Sequence, residues 1–334
     1  LGALIGDALG VGPHWYYDLE QLKADYGEWI DDYTAPKPDR FHSGLQAGEN
    51  SQTGQVVGLL LESVAELEKY DESDFCHRLD ELLATLDGTP ESGRYTDAAM
   101  RDVWQARQAG WKWSRAGSFA DTAEAAIRTV VLAACYHNNF GKLLESCRSN
   151  VRLTHRDPFI AGSSVAFGLV VAALINGDSL ETAGKKIIKQ AKAHGLSLGV
   201  SIPEISDVDD NAVEVSFHDA LLLPNWSYKA ARDDAVRINP PWTACQLFGL
   251  ACSLSFMLPA AYYLSSRFED DFELPVLSAI NGGGNNMARA SLTGALAGAQ
   301  VGLSDIPQRF ITGLADSKRL QQMATRVGDA GQMQ

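Results

Sequence analysis

The segment AGENSQTGQ, residues 47–55, places several polar side chains directly before the apolar run VVGLLL. Asn50, Ser51 and Thr53 are residue types that cap helix N-termini, and a helix N-terminus attracts anionic and polar ligands. Glu49 is the one side chain in the segment that can carry a charge. The segment therefore predicts a helix start at which a ligand could bind, with Glu49 as the available acid or base.

Two further residues are candidates for proton transfer. A histidine titrates near neutral pH and can act as an acid or a base, although His14 beside Trp15 could equally be a core residue. Glu124 closes the sequence Asp121-Thr122-Ala123-Glu124, which has the pattern of a capping box. Glu124 is therefore either an acid that faces a ligand or the far end of a helix cap.

Asp97 and Arg101 are four residues apart and predict an ion pair on one helix face. Alternatively, the same segment brings Arg94 and Asp97 to a polar ligand. The two readings are left open.

The elements that must position these residues are helices. Apolar residues recur at steps of three and four along most of the chain, as in GQVVGLLLESVAELEKY and DTAEAAIRTVVLAACYHN. Asp157-Pro158 marks another helix start, with proline in the first turn. Alternating strand patterns are nearly absent. The sequence predicts an all-α protein, with long polar and aromatic loops at residues 26–50 and 197–215 that we expect to serve function.

Small residues recur every four positions near both ends of the sequence, and on a helix that spacing keeps them on one face. Glycine inside a helix costs roughly 0.5–1 kcal/mol relative to alanine, so close backbone packing must compensate. We therefore expect both segments to meet in one packed centre, in a single domain spanning residues 1–334. The residues are Gly2, Gly6, Gly10, Ala290, Gly294, Gly298 and Gly302.

Composition excludes several classes of function. The net charge of −14 argues against non-specific binding to nucleic acid or anionic membranes. Residues 238–266 contain no charged residue, and a stretch of this length could span a bilayer. However, Gln246, Pro259 and many small residues favour a buried helix. Five scattered cysteines, with Cys245 and Cys252 on one predicted helix face, indicate reduced thiols and a cytoplasmic protein.

Three motifs taken together resemble the ADP-ribosylglycohydrolase superfamily. They are GALIGDALG near the start, AGENSQTGQ, and GGGNNMARASLTGALAGA near the end. THRDP at residues 154–158 is similar to the family's His-x-x-Pro segment, and PHWYYD at 13–18 is more similar to the branch that contains J1-crystallins and selenoprotein J. The resemblance implies a single all-α domain with many orthogonal helices.

This chain departs from the motifs that hold a pair of divalent cations in active members of that family. Ser51, Gln52 and Thr53 stand where the family has Asp-Asp-Thr, and Asn285-Asn286-Met287-Ala288 stands where it has Asp-Thr-Asp-Thr. Magnesium and manganese require several oxygen ligands, some of them anionic. We therefore predict no family-type metal pair and no other cofactor.

The resemblance also suggests roles for the remaining candidates. His14 replaces a family glutamate near the scissile bond, and Glu124 falls in a loop that contacts ribose in the family. His155 and Asp157 would contact ligand hydroxyls, although His155 could instead be a buried histidine held by a backbone carbonyl. The predicted catalytic residues are His14, Glu49 and Glu124, and the predicted ligand-binding residues are Ser51, Gln52, Thr53, Asp97, His155, Asp157, Asn285 and Asn286.

Three functions remain open on these grounds. The first is a metal-independent hydrolase that cleaves a glycosidic or related bond in a small nucleoside-like ligand. The second is a ligand-binding pseudoenzyme, and the third is a structural protein like the J1-crystallins. The predicted partner is a small molecule, neither nucleic acid nor membrane, and the oligomeric state is left open.

Overall fold

The computed structural model describes residues 1–86, 97–201 and 214–333. These residues are mostly helical, which confirms the all-α prediction. The helices are α1 (Gly2–Val11), α2 (Leu19–Tyr26), α3 (Gln52–Leu67), α4 (Glu72–Leu83), α5 (Ala98–Gln108), α6 (Trp113–Ala116), α7 (Glu124–Tyr136), α8 (Phe140–Arg152), α9 (Pro158–Ile175), α10 (Ala183–Ala193), α11 (His218–Arg232), α12 (Ala244–Phe248), α13 (Leu254–Arg267), α14 (Glu273–Asn281), α15 (Asn286–Val301), α16 (Gln308–Gly313) and α17 (Ser317–Met333). A short antiparallel hairpin joins β1 (Gly199–Ser201) to β2 (Glu214–Ser216), with Gly199 opposite Ser216.

The glycine-rich faces of α1 and α15 pack directly against each other, as their spacing predicts. A Cβ atom on Gly6 would lie 2.1 Å from the Ala290 carbonyl oxygen, and one on Gly2 would lie 2.1 Å from that of Gly294. No side chain larger than hydrogen fits at these two positions without moving a backbone. The first helix and the last long core helix therefore form one tightly packed pair.

Side-chain caps fix the start of two predicted helices. Ser51 Oγ accepts a hydrogen bond from the Gly54 amide at 3.4 Å and so begins α3. Asp157 Oδ1 accepts one from the Ile160 amide at 3.0 Å and begins α9, with Pro158 in the first turn. Both predicted helix starts are confirmed.

The predicted capping box at residues 121–124 is wrong. The residue before α7 is Ala123, and no side chain caps this helix. The Glu124 carboxyl group instead meets the hydroxyls of Thr122 and Thr53. Local sequence suggests a cap here, but contacts with α3 and with the preceding loop determine the direction of the Glu124 side chain.

The long apolar stretch at residues 238–266 is not one helix, contrary to expectation. Gly249 adopts a φ of +123°, which ends α12, and the Ser253 hydroxyl caps α13. Cys245 therefore lies in α12, whereas Cys252 lies in the non-helical segment 249–253. The predicted helix face shared by the two cysteines does not form.

Among the described residues, α9 is the helix that is long and apolar enough to cross a membrane by length and composition. Of its apolar window, 83% is buried inside the protein, as expected for the core helix of a compact fold. One connected cluster of buried apolar side chains extends from Ala3 to Val327. The assignment of the whole chain to a single domain stays a prediction.

Candidate functional site

The start of α3 is held in place by a buried carboxylate on α1. Asp7 is 1% exposed and accepts hydrogen bonds from the Ser51 amide at 2.8 Å, the Ser51 hydroxyl at 2.6 Å and the Asn50 side-chain amide at 2.9 Å. Ser51 is thus used to fasten the loop and cap the helix. Two residues further on, the Thr53 hydroxyl donates to Glu124 Oε1 at 3.3 Å.

Glu124 and Asp97 form a carboxyl pair in which Glu124 is buried and Asp97 is half-buried. Glu124 is 6% exposed at the first turn of α7, and Asp97 caps α5 by accepting the Met100 amide at 2.8 Å through Oδ1. Burial, and then the charge and hydrogen bonding of Asp97, raise the pKa of Glu124 well above its ordinary value. Asp97 Oδ2 is buried and accepts no hydrogen bond from an N–H or hydroxyl group. The contact with Asp97 and the burial of Glu124 therefore both favour the protonated form of Glu124.

A chain of hydroxyl and imidazole groups holds Glu124 from the other side. The Thr122 hydroxyl donates to Glu124 Oε2 at 2.8 Å and lies 3.0 Å from His155 Nε2. Since that hydroxyl proton is used, Nε2–H of His155 must be the donor to Thr122, and Nδ1 accepts from the Thr154 hydroxyl at 2.9 Å. Burial lowers the pKa of His155 to about 4, so its ring is neutral at physiological pH.

This geometry gives His155 a different position from the one predicted. Both of its ring nitrogens are occupied by threonine hydroxyls and the residue is fully buried. His155 therefore orients Thr122, and through it Glu124. The alternative prediction, a buried His155 held by a backbone carbonyl, is right about burial, but the partners of the ring are threonine hydroxyls.

Arg128 is the buried cation nearest in sequence to the carboxyl pair, one helical turn after Glu124 on α7. Its Nε donates to Asn150 Oδ1 at 2.6 Å, and one terminal nitrogen donates to the Asn150 carbonyl oxygen at 2.8 Å. Burial lowers the pKa of Arg128 to about 10, while Tyr70, Glu124 and Asp97 oppose that change. The guanidinium stays charged near neutral pH and offsets the negative charge that the pair retains.

Sequence reasoning missed Cys252, which borders the same pair. Burial, the largest effect, raises the pKa of its thiol above the ordinary value, as do the charges of Glu124 and Asp97, whereas hydrogen bonds with the Asn285 and Trp15 side chains lower it. Cys252 is the half-buried cysteine of this chain, and the other four are buried. No spacing in the sequence points to it, because its position depends on the non-helical segment that precedes α13.

Two residues from the C-terminal motif also have structural contacts. Asn285 caps α15 by accepting the Ala288 amide at 3.4 Å and borders Cys252. Asn286 is fully buried, its side-chain amide donates to the Pro13 carbonyl oxygen at 3.0 Å, and its side chain also hydrogen-bonds with His14. Asn285 thus lies at the site, and Asn286 ties α15 to the loop after α1.

His14 is 3% exposed and stacks on Trp15, with ring centroids 4.9 Å apart. Burial, followed by the charge of His42, lowers its pKa well below the ordinary value. His14 reaches the carboxyl pair only indirectly, since Trp15 in turn contacts Cys252. The structure does not place the His14 ring against Glu124.

Glu49 lies in a different place. It lines a cleft of about 380 Å³ between α3 and α17, together with Glu62 and Arg319, and neither His14 nor Glu124 lines that cleft. Glu49 Oε2 accepts the Gln46 amide at 2.8 Å. The predicted association of Glu49 with His14 and Glu124 is therefore not found.

The other predicted residues divide between ligand-side and structural positions. Gln52 is 3% exposed, and its Oε1 has no hydrogen-bond partner, which leaves it available to a ligand. Asp157 Oδ1 is used to cap α9. Arg94, the alternative anion-binding group, lies outside the described residues, as does most of the predicted loop at residues 197–215, namely 202–213.

The donor set does not fit the metal pair that the resemblance implies. The Ser51 hydroxyl is used by Asp7, and Met287 packs against α1, where a Cβ on Gly10 would lie 2.3 Å from its Cα. Within the parts of the chain that the structure describes, no three His, Cys, Asp or Glu side chains converge as a metal site. Independence of metal stays a prediction.

Comparison with known proteins gives a match over the full chain. The family model described as ADP-ribosylglycohydrolase matches residues 1–334. An uncharacterized protein from Archaeoglobus fulgidus is 27% identical over 330 residues, which cover 98% of this chain and 93% of that protein. A solved structure described as an ADP-ribosylglycohydrolase-related protein complex is similar with a TM-score of 0.62 and 18% identity, covering 99% of this chain and 95% of that chain. At that identity the structural likeness shows the fold alone.

Proposed function

Since this chain belongs to the ADP-ribosylglycohydrolase family, whose model matches residues 1–334, we propose that it is a metal-independent hydrolase. Its substrate would be a small nucleoside-like molecule with a glycosidic or related bond. The resemblance to J1-crystallins and the cytoplasmic location stay predictions. The observation that carries the proposal is the contact between the carboxyl groups of Asp97 and Glu124, which with burial raises the pKa of Glu124.

A buried pair of carboxyl groups is unfavourable for stability, because each loses its hydration and repels the other when both ionise. Replacing either by an apolar residue would remove that cost. Strongly shifted carboxyl groups of this kind concentrate at functional sites. The threonines on both Glu124 oxygens and the neutral His155 behind Thr122 hold the acid in one orientation, as general acid catalysis requires.

The pair supplies an acid and a base together. Water adds to the carbon of the scissile bond and gives a proton to the Asp97 carboxylate. The bond to the leaving oxygen or nitrogen breaks as Glu124 gives its proton to that atom. The proton on Asp97 then passes to Glu124 through the hydrogen bond between them, and the pair is restored.

The direct contact between Asp97 and Glu124 distinguishes this site from the active sites of ordinary glycosidases. In those enzymes the two carboxyl groups flank the bond at about 5–5.5 Å or about 6.5–9.5 Å. A hydrogen-bonded pair lies closer and acts from one side of the substrate, as proton-sharing carboxyl pairs do. Two side chains would hold ligand hydroxyls: Gln52, through Oε1 at the start of α3, and Asn285, at the start of α15.

The test begins with a thermal-shift screen of the full chain against nucleosides, ADP-ribose and small sugars. Hydrolysis of any ligand found is then measured with and without a chelator. We expect turnover that the chelator does not change, and we expect Glu124→Gln to bind the ligand while losing at least about 100-fold in kcat. Asp97→Asn removes the proposed base and should also lose turnover. Asp71→Asn, at the cap of α4, is its matched control and should keep turnover.

Two results would change the conclusion. Turnover that needs Mg²⁺ or Mn²⁺ would overturn the metal-independent mechanism. Binding without turnover in the wild-type chain would instead indicate a ligand-binding pseudoenzyme, the alternative that the unpartnered amide oxygen of Gln52 favours.

A further inference from the structure

Four basic side chains lie near the loop after α1, and they are called the basic cluster here: His14, Arg40, His42 and Arg289. The rings of His14 and His42 have centroids 4.9 Å apart. A terminal nitrogen of Arg40 donates to the Trp15 carbonyl oxygen at 2.7 Å and lies 3.4 Å from that of His14. The cluster thus joins the loop after α1, the loop before α3 and the first turn of α15.

Arg289 completes the cluster from α15. It is fully buried, and one terminal nitrogen donates to the carbonyl oxygens of Ala279 and Gly283. Its position in the first turn of α15 adds the positive end of a helix dipole to its own charge. His14 and His42 are each 3% exposed, so little water is available to solvate these groups.

The cluster has more hydrogen-bonding capacity than its surroundings use. Arg40 Nε and, on Arg289, both Nε and Nη1 are buried without a hydrogen-bond partner of good geometry. Among the described residues, no salt bridge includes Arg40 or Arg289. A buried guanidinium without a counter-charge is costly for the folded state.

The charges around His14 have the same sign. After burial, His42 lowers its pKa most, and Arg40 and Arg289 lower it further, while a hydrogen bond with the Asn286 side chain raises it. The charges of His42, Arg40 and Arg289 all disfavour a further proton on His14. They indicate a region of positive potential inside a protein of net charge −14. A compact anion would be attracted to this region and would satisfy the unpartnered groups.

We propose that the basic cluster binds a small oxyanion, with phosphate chemistry, through Arg40, Arg289 and His14. The site uses none of the residues of the Asp97–Glu124 pair and does not depend on the proposed hydrolysis. Trp15 stacks on His14 and also contacts Cys252, which borders the carboxyl pair. The oxyanion is therefore either a free ion or the charged end of a ligand that extends past Trp15.

The experiment measures thermal shift of the full chain in a low-salt zwitterionic buffer against inorganic phosphate, glycerol 3-phosphate and glycerol. We expect saturable stabilisation by phosphate and none by glycerol at the same concentration. Equal affinities for phosphate and glycerol 3-phosphate would identify a free-ion site. Tighter binding of the ester would identify the charged end of a larger ligand.

Variants locate the binding. Arg40→Met removes a charge that is within reach of the anion and should weaken phosphate binding about tenfold or more. Lys37→Met is the matched control in the same loop, because its ammonium lies over the Tyr26 ring at 4.9 Å and should leave binding unchanged. His14→Gln provides a second variant if Arg40→Met fails to fold. Absence of a saturable shift in the wild type, an equal shift in Arg40→Met, or equal binding of glycerol would overturn the proposal.

Discussion

Glu124 is a carboxylic acid that its surroundings keep protonated. Its described hydrogen-bond partners are the hydroxyls of Thr53 and Thr122 and the carboxyl group of Asp97. None of these partners is a cation. These surroundings distinguish Glu124, as a candidate functional acid, from a glutamate that only caps a helix. The proton has a measurable effect on stability, because the unfolded chain releases it at lower pH.

That effect has a definite sign. The pKa of Glu124 is raised in the folded protein, so its contribution is fully present below the ordinary glutamate pKa and is lost as pH rises through the raised value. We expect the free energy of unfolding to fall with rising pH, by about 1.4 kcal/mol for each unit of the pKa difference. Glu124→Gln, which resembles the protonated acid, should remove this slope in denaturant titrations.

The control for this measurement is Glu145→Gln, since Glu145 is exposed on α8. It should keep the wild-type dependence of stability on pH. An identical slope in wild type and Glu124→Gln would contradict a proton held on Glu124.

Sequence reasoning could name the members of this site but could not join them. Thr53, Asp97, Glu124 and His155 were each candidates, because hydroxyl, carboxyl and imidazole groups carry recognisable chemistry. Their meeting depends on how α3, α5 and α7 pack, which no local pattern records. Glu124 was also assigned to a capping box because Asp-x-x-Glu is a local signal, and a tertiary contact with Thr53 overrides it.

At the scale of elements, the sequence is most informative where one residue type has one physical use. Glycines four apart predict the close contact of α1 with α15, since no other residue allows it. The segment 249–253 is less predictable. Its path is set by hydrogen bonds from the Leu254 amide to the Asp121 carbonyl oxygen and from the Asn285 amide to that of Leu250. Cys252 is placed by these contacts.

The α1–α15 contact predicts a large asymmetry between two glycine substitutions. A Cβ on Gly6 would lie 2.1 Å from the Ala290 oxygen, so Gly6→Ala must separate two helices and should destabilise by about 1–3 kcal/mol or more. Gly328, in α17, has no atom within 4 Å of a new Cβ, so Gly328→Ala should stabilise by roughly 0.5–1 kcal/mol. Equal effects of the two in urea unfolding would show that the helices do not touch at Gly6.

At the scale of the whole molecule, the charge distribution separates outside from inside. The chain carries a net charge of −14, while His14, His42 and Arg289 of the basic cluster are buried and Arg40 is half-buried. Large polyanions therefore meet a repulsive surface, whereas the positive groups of the proposed oxyanion site lie mainly inside the protein. The burial of 83% of the α9 window likewise removes the longest apolar helix of the described residues from contact with lipid.

We expect no binding to anionic lipid vesicles or to heparin at low ionic strength, because the surface potential opposes both. Co-sedimentation with vesicles and retention on a heparin column measure this directly. Retention that is lost on adding salt would contradict the prediction and would reveal a basic surface that the net charge conceals.

The pairing of α1 with α15 also has a consequence for how the chain acquires its fold. All ten residues of α1 are buried in the native protein, and the partner of Gly6 is Ala290, 290 − 6 = 284 residues later. During synthesis, α1 has no native surface to cover it until the residues of α15 have also been made. Such long-range contacts slow folding and expose apolar segments to aggregation. The ribosome must therefore add every residue between α1 and α15 before the central helix pair can close.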